Sequence, residues 1–177
     1  AALDNADTTN RAEPKAASRI VDVPLDDPPP AEERKGMREQ FERTRGEAAE
    51  PASKLTAGAM LDWLDELEAA VVHGGAPAPV RAEVFAARAG EGRVVGLPFE
   101  TYSDVALRIR EALQPEPVLF AGYANGLFGY LPSGWAKDQG GYGPGDSHRW
   151  FPEMLTPLAR GADELLVREA VRLAREL

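Results

Sequence analysis

The sequence predicts a mixed α/β fold, a β-sheet with helices packed on it. Three observations carry that expectation. Apolar residues alternate at period two over 80–89, and a Gly90-Glu91-Gly92 turn leads into a second short apolar run, 93–97. Leu, Met and Val recur every three or four residues over 54–72 and 162–177, which is the helical period. The two patterns are interleaved along one chain, so helices and strands share a core rather than forming separate blocks.

The elements follow in order. Residues 1–18 are small and polar and carry no hydrophobic period, so they read as a flexible linker or arm, with 19–177 as the folded unit. Ile20, Val21, Val23 and Leu25 mark a short strand that Pro24 confines to a sheet edge or a strand end, and Pro28-Pro29-Pro30 stops it. Residues 31–49 are mostly charged helix formers, with Met37 and Phe41 as a narrow buried stripe. The next helix, 54–72, turns Leu55, Met60, Leu61, Leu64, Leu67 and Val71 to one side as a core-facing helix and ends at Gly74-Gly75. After the hairpin come a helix over 102–113, strands over 118–124 and 127–131, and a closing helix built on Leu165, Leu166, Val167, Ala170 and Leu173.

Composition narrows the chemistry. A chain of 177 residues with 44% hydrophobic residues is long enough for one domain with a real core. It has no cysteine, which excludes disulfides and thiolate metal clusters. A net charge of −9 and the lack of any basic cluster with interleaved aromatics argue against nucleic acid as a partner. No apolar run approaches the ~20 residues of a membrane span, and the first residues lack the basic and apolar regions of a signal peptide. Localisation stays open. The chain begins at Ala1 rather than Met and reads as an inner or C-terminal portion of something longer.

Two strand ends deliver oxygen side chains. Glu100 lies where the 94–99 run stops, directly before a helix, a place where ligands collect in α/β sheets; its plainer reading is a helix N-terminal carboxylate. Tyr130 ends the following apolar run before Leu131-Pro132, and its plainer reading is a buried tyrosine with a satisfied hydroxyl. A carboxylate and a phenol can converge on one metal ion, but two oxygens are too few for zinc without nitrogen or sulfur donors. His148 sits in a long glycine- and aromatic-rich loop and is either a substrate contact or structural; His73 caps a helix end and carries no catalytic weight. Gly122, Gly126 and Gly129 do not match a nucleotide-binding fingerprint. No serine has an elbow or a paired base, and no His-Glu-x-x-His occurs, so no catalytic residue is assigned.

The segments Leu97-Pro98-Phe99-Glu100-Thr101-Tyr102 and Gly122-Tyr123-Ala124-Asn125-Gly126-Leu127-Phe128-Gly129-Tyr130-Leu131-Pro132-Ser133 resemble two motifs of the neutral/alkaline, non-lysosomal ceramidase family, particularly its shorter bacterial homologues. The second motif is the more specific, and the resemblance extends from about Ile20 to Leu177 as the C-terminal half of that catalytic domain. It implies a zinc-dependent amidohydrolase acting on an N-acyl amide such as ceramide, with Glu100 and Tyr130 facing the metal. Phe99 stands where the family usually has glycine. The family's histidine ligands and catalytic serine segment have no match here, so the resemblance implies zinc shared with histidines on an upstream N-terminal half, and inactivity without it. A non-catalytic scaffold that binds a partner or ligand is the alternative. A third reading is an α/β module that holds a small anion on backbone amides near Gly122 to Gly129.

Overall fold

A computed structural model describes residues 13–75 and 77–177 of the chain. Most of the expected 1–18 arm therefore lies outside the described residues. Its last residues do not belong to an arm: β1 spans Lys15–Val23 and begins four positions earlier than the sequence indicated. Ala16, Ala17 and Ser18 have little strand propensity of their own. They are drawn in by antiparallel pairing with the far end of β2, Val80–Ala89, where Ala17 lies opposite Ala86.

β2 turns through Gly90 into β3, Gly92–Gly96, as the alternation predicted. β5, Val118–Ala121, pairs parallel to β3 and completes a mixed sheet of order β1-β2-β3-β5. The intervening helix α3, Ser103–Ala112, makes the crossover. α5, Ala162–Arg175, packs across β1, β2 and β3. Its Leu166, Ala170 and Leu173 meet Val23, Val84, Val95 and Leu97 in the main core. Arg93, on the covered face, is buried and paired with Glu116 and the Ala174 carbonyl.

Among the described residues, no helix packs on the opposite face of the sheet. Ala87 lies across from Val94 and Val94 across from Leu119, and Leu119 is 63% exposed. A shallow groove of about 480 Å³ runs over these residues.

α1, Ala31–Glu47, and α2, Pro51–Val72, form a helical hairpin with a core of its own. α2 faces a core, as its periodicity indicated, with Met60, Leu61, Leu64 and Leu67 buried, but that core is distinct from the one under the sheet. Trp63, Leu64 and Leu67 pack with Met37, Phe41 and Leu155 as a separate cluster, and Leu55 is 76% exposed. The periodicity located the helix but could not say which partner takes its apolar face. Trp63 is the residue the aliphatic pattern passed over, and its indole donates to the Leu155 carbonyl at 3.0 Å.

Two further predicted strands are much shorter than expected. β5 stops at Ala121 because Tyr123 and Asn125 adopt left-handed φ values of 55° and 61°. The 127–131 run is strand only at β6, Tyr130–Leu131, because Gly126 and Gly129 have φ of 150° and 90°. β6 pairs parallel to β4, Glu100–Thr101, in a small second sheet. α4, Gly134–Gln139, follows and is capped by the Ser133 hydroxyl. Residues 142–150 then form two irregular helical turns leading to α5.

Candidate functional site

Backbone bonds build the site. Leu97 and Glu100 donate to the carbonyls of Ala121 and Gly129, and Tyr102 donates to Leu131, at 2.8–3.1 Å. In return Tyr123, Ala124 and Phe128 donate to Phe99, Leu97 and Pro98, at 2.9–3.1 Å. The two motif segments are thus stitched together along their length, and Glu100 falls opposite Tyr130 in the β4–β6 register. The same bonds consume the Tyr123, Ala124 and Phe128 amides, which removes those donors from the anion-binding reading.

Phe99 turns the other way. It is wholly buried in the main core, with its ring 5.9 Å from Phe128, so it anchors the strand beneath the site and does not crowd the surface. Glu100 lies three residues ahead of the first helical residue of α3, outside the helix's first turn, where Asp104 is the acid. The helix-capping reading of Glu100 therefore fails on position.

Tyr123 and Tyr130 approach this carboxylate, and the other two tyrosines of the chain, Tyr102 and Tyr142, flank Tyr130. Tyr102 and Tyr142 each stand nearly edge-on to Tyr130, with ring centroids 6.2 Å apart in both pairs and interplanar angles of 82° and 78°. Tyr123 approaches from the left-handed turn. Glu100, as hydrogen-bond acceptor and then as a nearby charge, pushes the Tyr123 phenol up to about 12 and raises the Tyr130 phenol, with partial desolvation adding to both. Both phenols are therefore neutral at neutral pH. Among the described residues no Lys, Arg or His lies within 4.0 Å of the Glu100 carboxylate to neutralise it.

The surrounding glycines fix the shape. A side chain at Gly143 would meet the Tyr102 hydroxyl and come 3.6 Å from Tyr130, so the bare backbone lets the 142–146 turn lie against both rings without displacing that hydroxyl. Tyr123 and Tyr142 remain 53% and 58% exposed, which leaves the ring of tyrosines open to solvent.

His148 does not join this group. It is 5% exposed, edge-on to Trp63 at 5.5 Å, with Nδ1 unpartnered and the Arg149 guanidinium stacked on the same indole at 4.9 Å. Burial, reinforced by the Arg149 charge, lowers its pKa to about 4. The structure places His148 as a buried, neutral packing residue that joins the helical hairpin to the 147–150 turn, rather than on the exposed rim of the loop. An exposed loop was inferred from its glycines, and Trp63, which closes over it, lies 85 residues away in sequence.

The residues present do not by themselves fit zinc. The described residues contain no cluster of three or more His, Asp or Glu able to hold a metal ion, and Glu100 with neutral phenols offers oxygen alone. Sequence reasoning found Glu100 and Tyr130 but missed Tyr102, Tyr123 and Tyr142. A signal was available: Gly122-Tyr123, Gly129-Tyr130 and Gly141-Tyr142 each place a tyrosine directly after a glycine, where the backbone can turn to aim the ring.

No family model matches the sequence, and no curated protein matches it. Two solved structures resemble the fold. A ceramidase complexed with C2 is 22% identical with a TM-score of 0.44, covering 56% of this chain and 15% of that one. The neutral ceramidase from Pseudomonas aeruginosa is 18% identical with a TM-score of 0.47, covering 94% of this chain and 29% of that one. The chain therefore spans less than a third of the length of either structure.

Proposed function

We propose that this chain contributes the oxygen-donor part of a metal-dependent amide hydrolase of the ceramidase type. In this reading a zinc ion is shared between Glu100, with Tyr130 beside it, and histidines on an N-terminal half of the same protein; His73 and His148 are not among those ligands. The chain alone is then inactive, and the substrate class is an N-acyl amide, with ceramide as one candidate.

The observation that carries this reading is the β4–β6 register, in which Glu100 and Tyr130 are direct cross-strand partners and no basic side chain among the described residues pairs with the carboxylate. It agrees with the motif residues that suggested the family. A bound divalent ion supplies Lewis acidity and an acidified water. For its own part, Glu100 offers a negative charge backed by fixed strand pairing. Tyr130, held protonated, can donate a hydrogen bond to a carbonyl oxygen as charge builds on it. The apolar and aromatic 142–151 segment, with Tyr142 and Trp150 exposed, offers a surface for an acyl chain.

The test uses the longest natural polypeptide containing these residues. Glu100→Ala is expected to remove bound zinc and to lower N-acyl amide hydrolysis at least ~100-fold together. Retained zinc with normal turnover would contradict the assignment. The alternative, a scaffold that binds a ligand without metal or catalysis, is favoured by one observation: the tyrosines around Glu100 form a recognition surface that needs no further donor.

A further inference from the structure

We propose that Glu100 with Tyr123 and Tyr130, and the Tyr102 and Tyr142 rings that flank Tyr130, form a binding site for a small alkylammonium ion. The proposal goes beyond the metal reading and stands without it. The two ligands ask different things of the same place. Zinc requires electron-pair donors that this chain does not bring together. An organic ammonium requires aromatic faces and one negative charge, both of which are present.

The geometry suits such a cation. Tyr130 is flanked by Tyr102 and Tyr142, both within 6.2 Å and within about 12° of perpendicular to it, so ring planes meet at right angles rather than stacking face to face on one another. Accessible ring surface comes from Tyr123 and Tyr142, which are 53% and 58% exposed, and a cation is attracted to the electron-rich face of an aromatic ring. Tyr123 adds a ring held in a left-handed backbone conformation, a strained placement that a tyrosine rarely adopts without a reason at a functional surface. Glu100 supplies the counter-charge and has no Lys or Arg within salt-bridge distance among the described residues, although 20 such residues occur in the chain.

Burial points the same way. Rings placed only to fill a core would be covered, yet Tyr123 and Tyr142 are more than half exposed while the wall they complete is pinned by backbone bonds and by Gly143. A net charge of −9 adds a long-range attraction for any cation. A quaternary ammonium is weakly hydrated compared with a metal ion or a primary ammonium, so moving it onto the rings costs less.

The chain contains four tyrosines and all lie at this site, so ring-labelled tyrosine NMR reads the site and nothing else. Tetramethylammonium and n-butylammonium chloride, titrated into the full 177-residue chain at constant ionic strength, are expected to shift the tyrosine signals saturably, with sodium chloride as the blank. Glu100→Gln is expected to weaken binding by about fivefold or more. Tyr130→Phe keeps the ring and is expected to stay within about twofold of wild type, an outcome that separates this site from a metal site needing the phenol oxygen. Tyr142→Leu, at an exposed position that folding tolerates, is expected to weaken binding; Tyr130→Leu should do so more severely. Absence of saturation, the same shifts from sodium chloride, or affinities unchanged in both Glu100→Gln and Tyr142→Leu would overturn the proposal.

Discussion

Glu100 gains its chemistry from its neighbours on each side. Phe99 is locked in the core and Thr101 is paired to Leu131, so the carboxylate between them has one direction left, toward the tyrosines. His148 shows the opposite situation, a titratable group whose setting suppresses its chemistry. Its pKa is lowered from 6.5 to about 4, so the folded state refuses a proton that the unfolded chain accepts between those values. The stability that depends on a neutral ring is complete above pH 6.5 and is lost as the pH falls toward 4. Unfolding free energies from denaturant titrations run from pH 7.5 down to 4 are expected to fall over that window, by at most about 3 kcal/mol. In His148→Leu, which keeps the apolar contact with Trp63, this dependence should flatten; an equally steep fall in the variant would show that other groups carry it.

At the scale of elements, the site exists because two short strands are held together by glycines. A Cβ at Gly129 would lie 2.9 Å from the Phe151 ring, and φ at that residue is 90°, so Gly129→Ala meets both a clash and a disfavoured backbone. A loss of about 2–4 kcal/mol is expected by thermal or chemical unfolding, and a loss below about 0.5 kcal/mol would mean β6 does not lie where described. Gly143→Ala differs, because the atom it meets is the movable end of Tyr102. It should shift the Tyr102 signal with little change in stability. The long elements α2, α3, α5, β2 and β3 were legible in the sequence because periodicity and glycine turns speak for themselves over ten or so residues. β4 and β6, two residues each, were not legible as strands, since their pairing is dictated by partners about 30 residues apart. Their functional residues were nevertheless visible, because Glu100 and Tyr130 interrupt apolar runs. The left-handed Tyr123 was read as strand because Val118, Leu119 and Phe120 lead straight into it.

At the scale of the molecule, the described residues form two cores, and no described helix covers the outer face of the sheet. The α1–α2 hairpin meets the rest of the protein mainly through Trp63, His148 and Arg149. Trp63→Ala is therefore expected to cost about 3 kcal/mol or more and to raise hydrogen exchange in both helices, while the tyrosine signals stay in place; broad loss of those signals would mean the two cores are one cooperative unit. The face bearing Ala87, Val94 and Leu119 includes the parallel β3–β5 pair, an arrangement that is nearly always covered on both sides. The geometry common to both functional readings is the approach of the Glu100 carboxylate to Tyr123 and Tyr130. Titrating the four tyrosine signals in wild type and Glu100→Gln tests it most directly. The account predicts that Tyr123 titrates near 12 and Tyr130 above 10 in the wild type, and that both fall toward 10 in the variant. Tyr123 and Tyr130 both titrating near 10 in wild type, unmoved by the substitution, would contradict it.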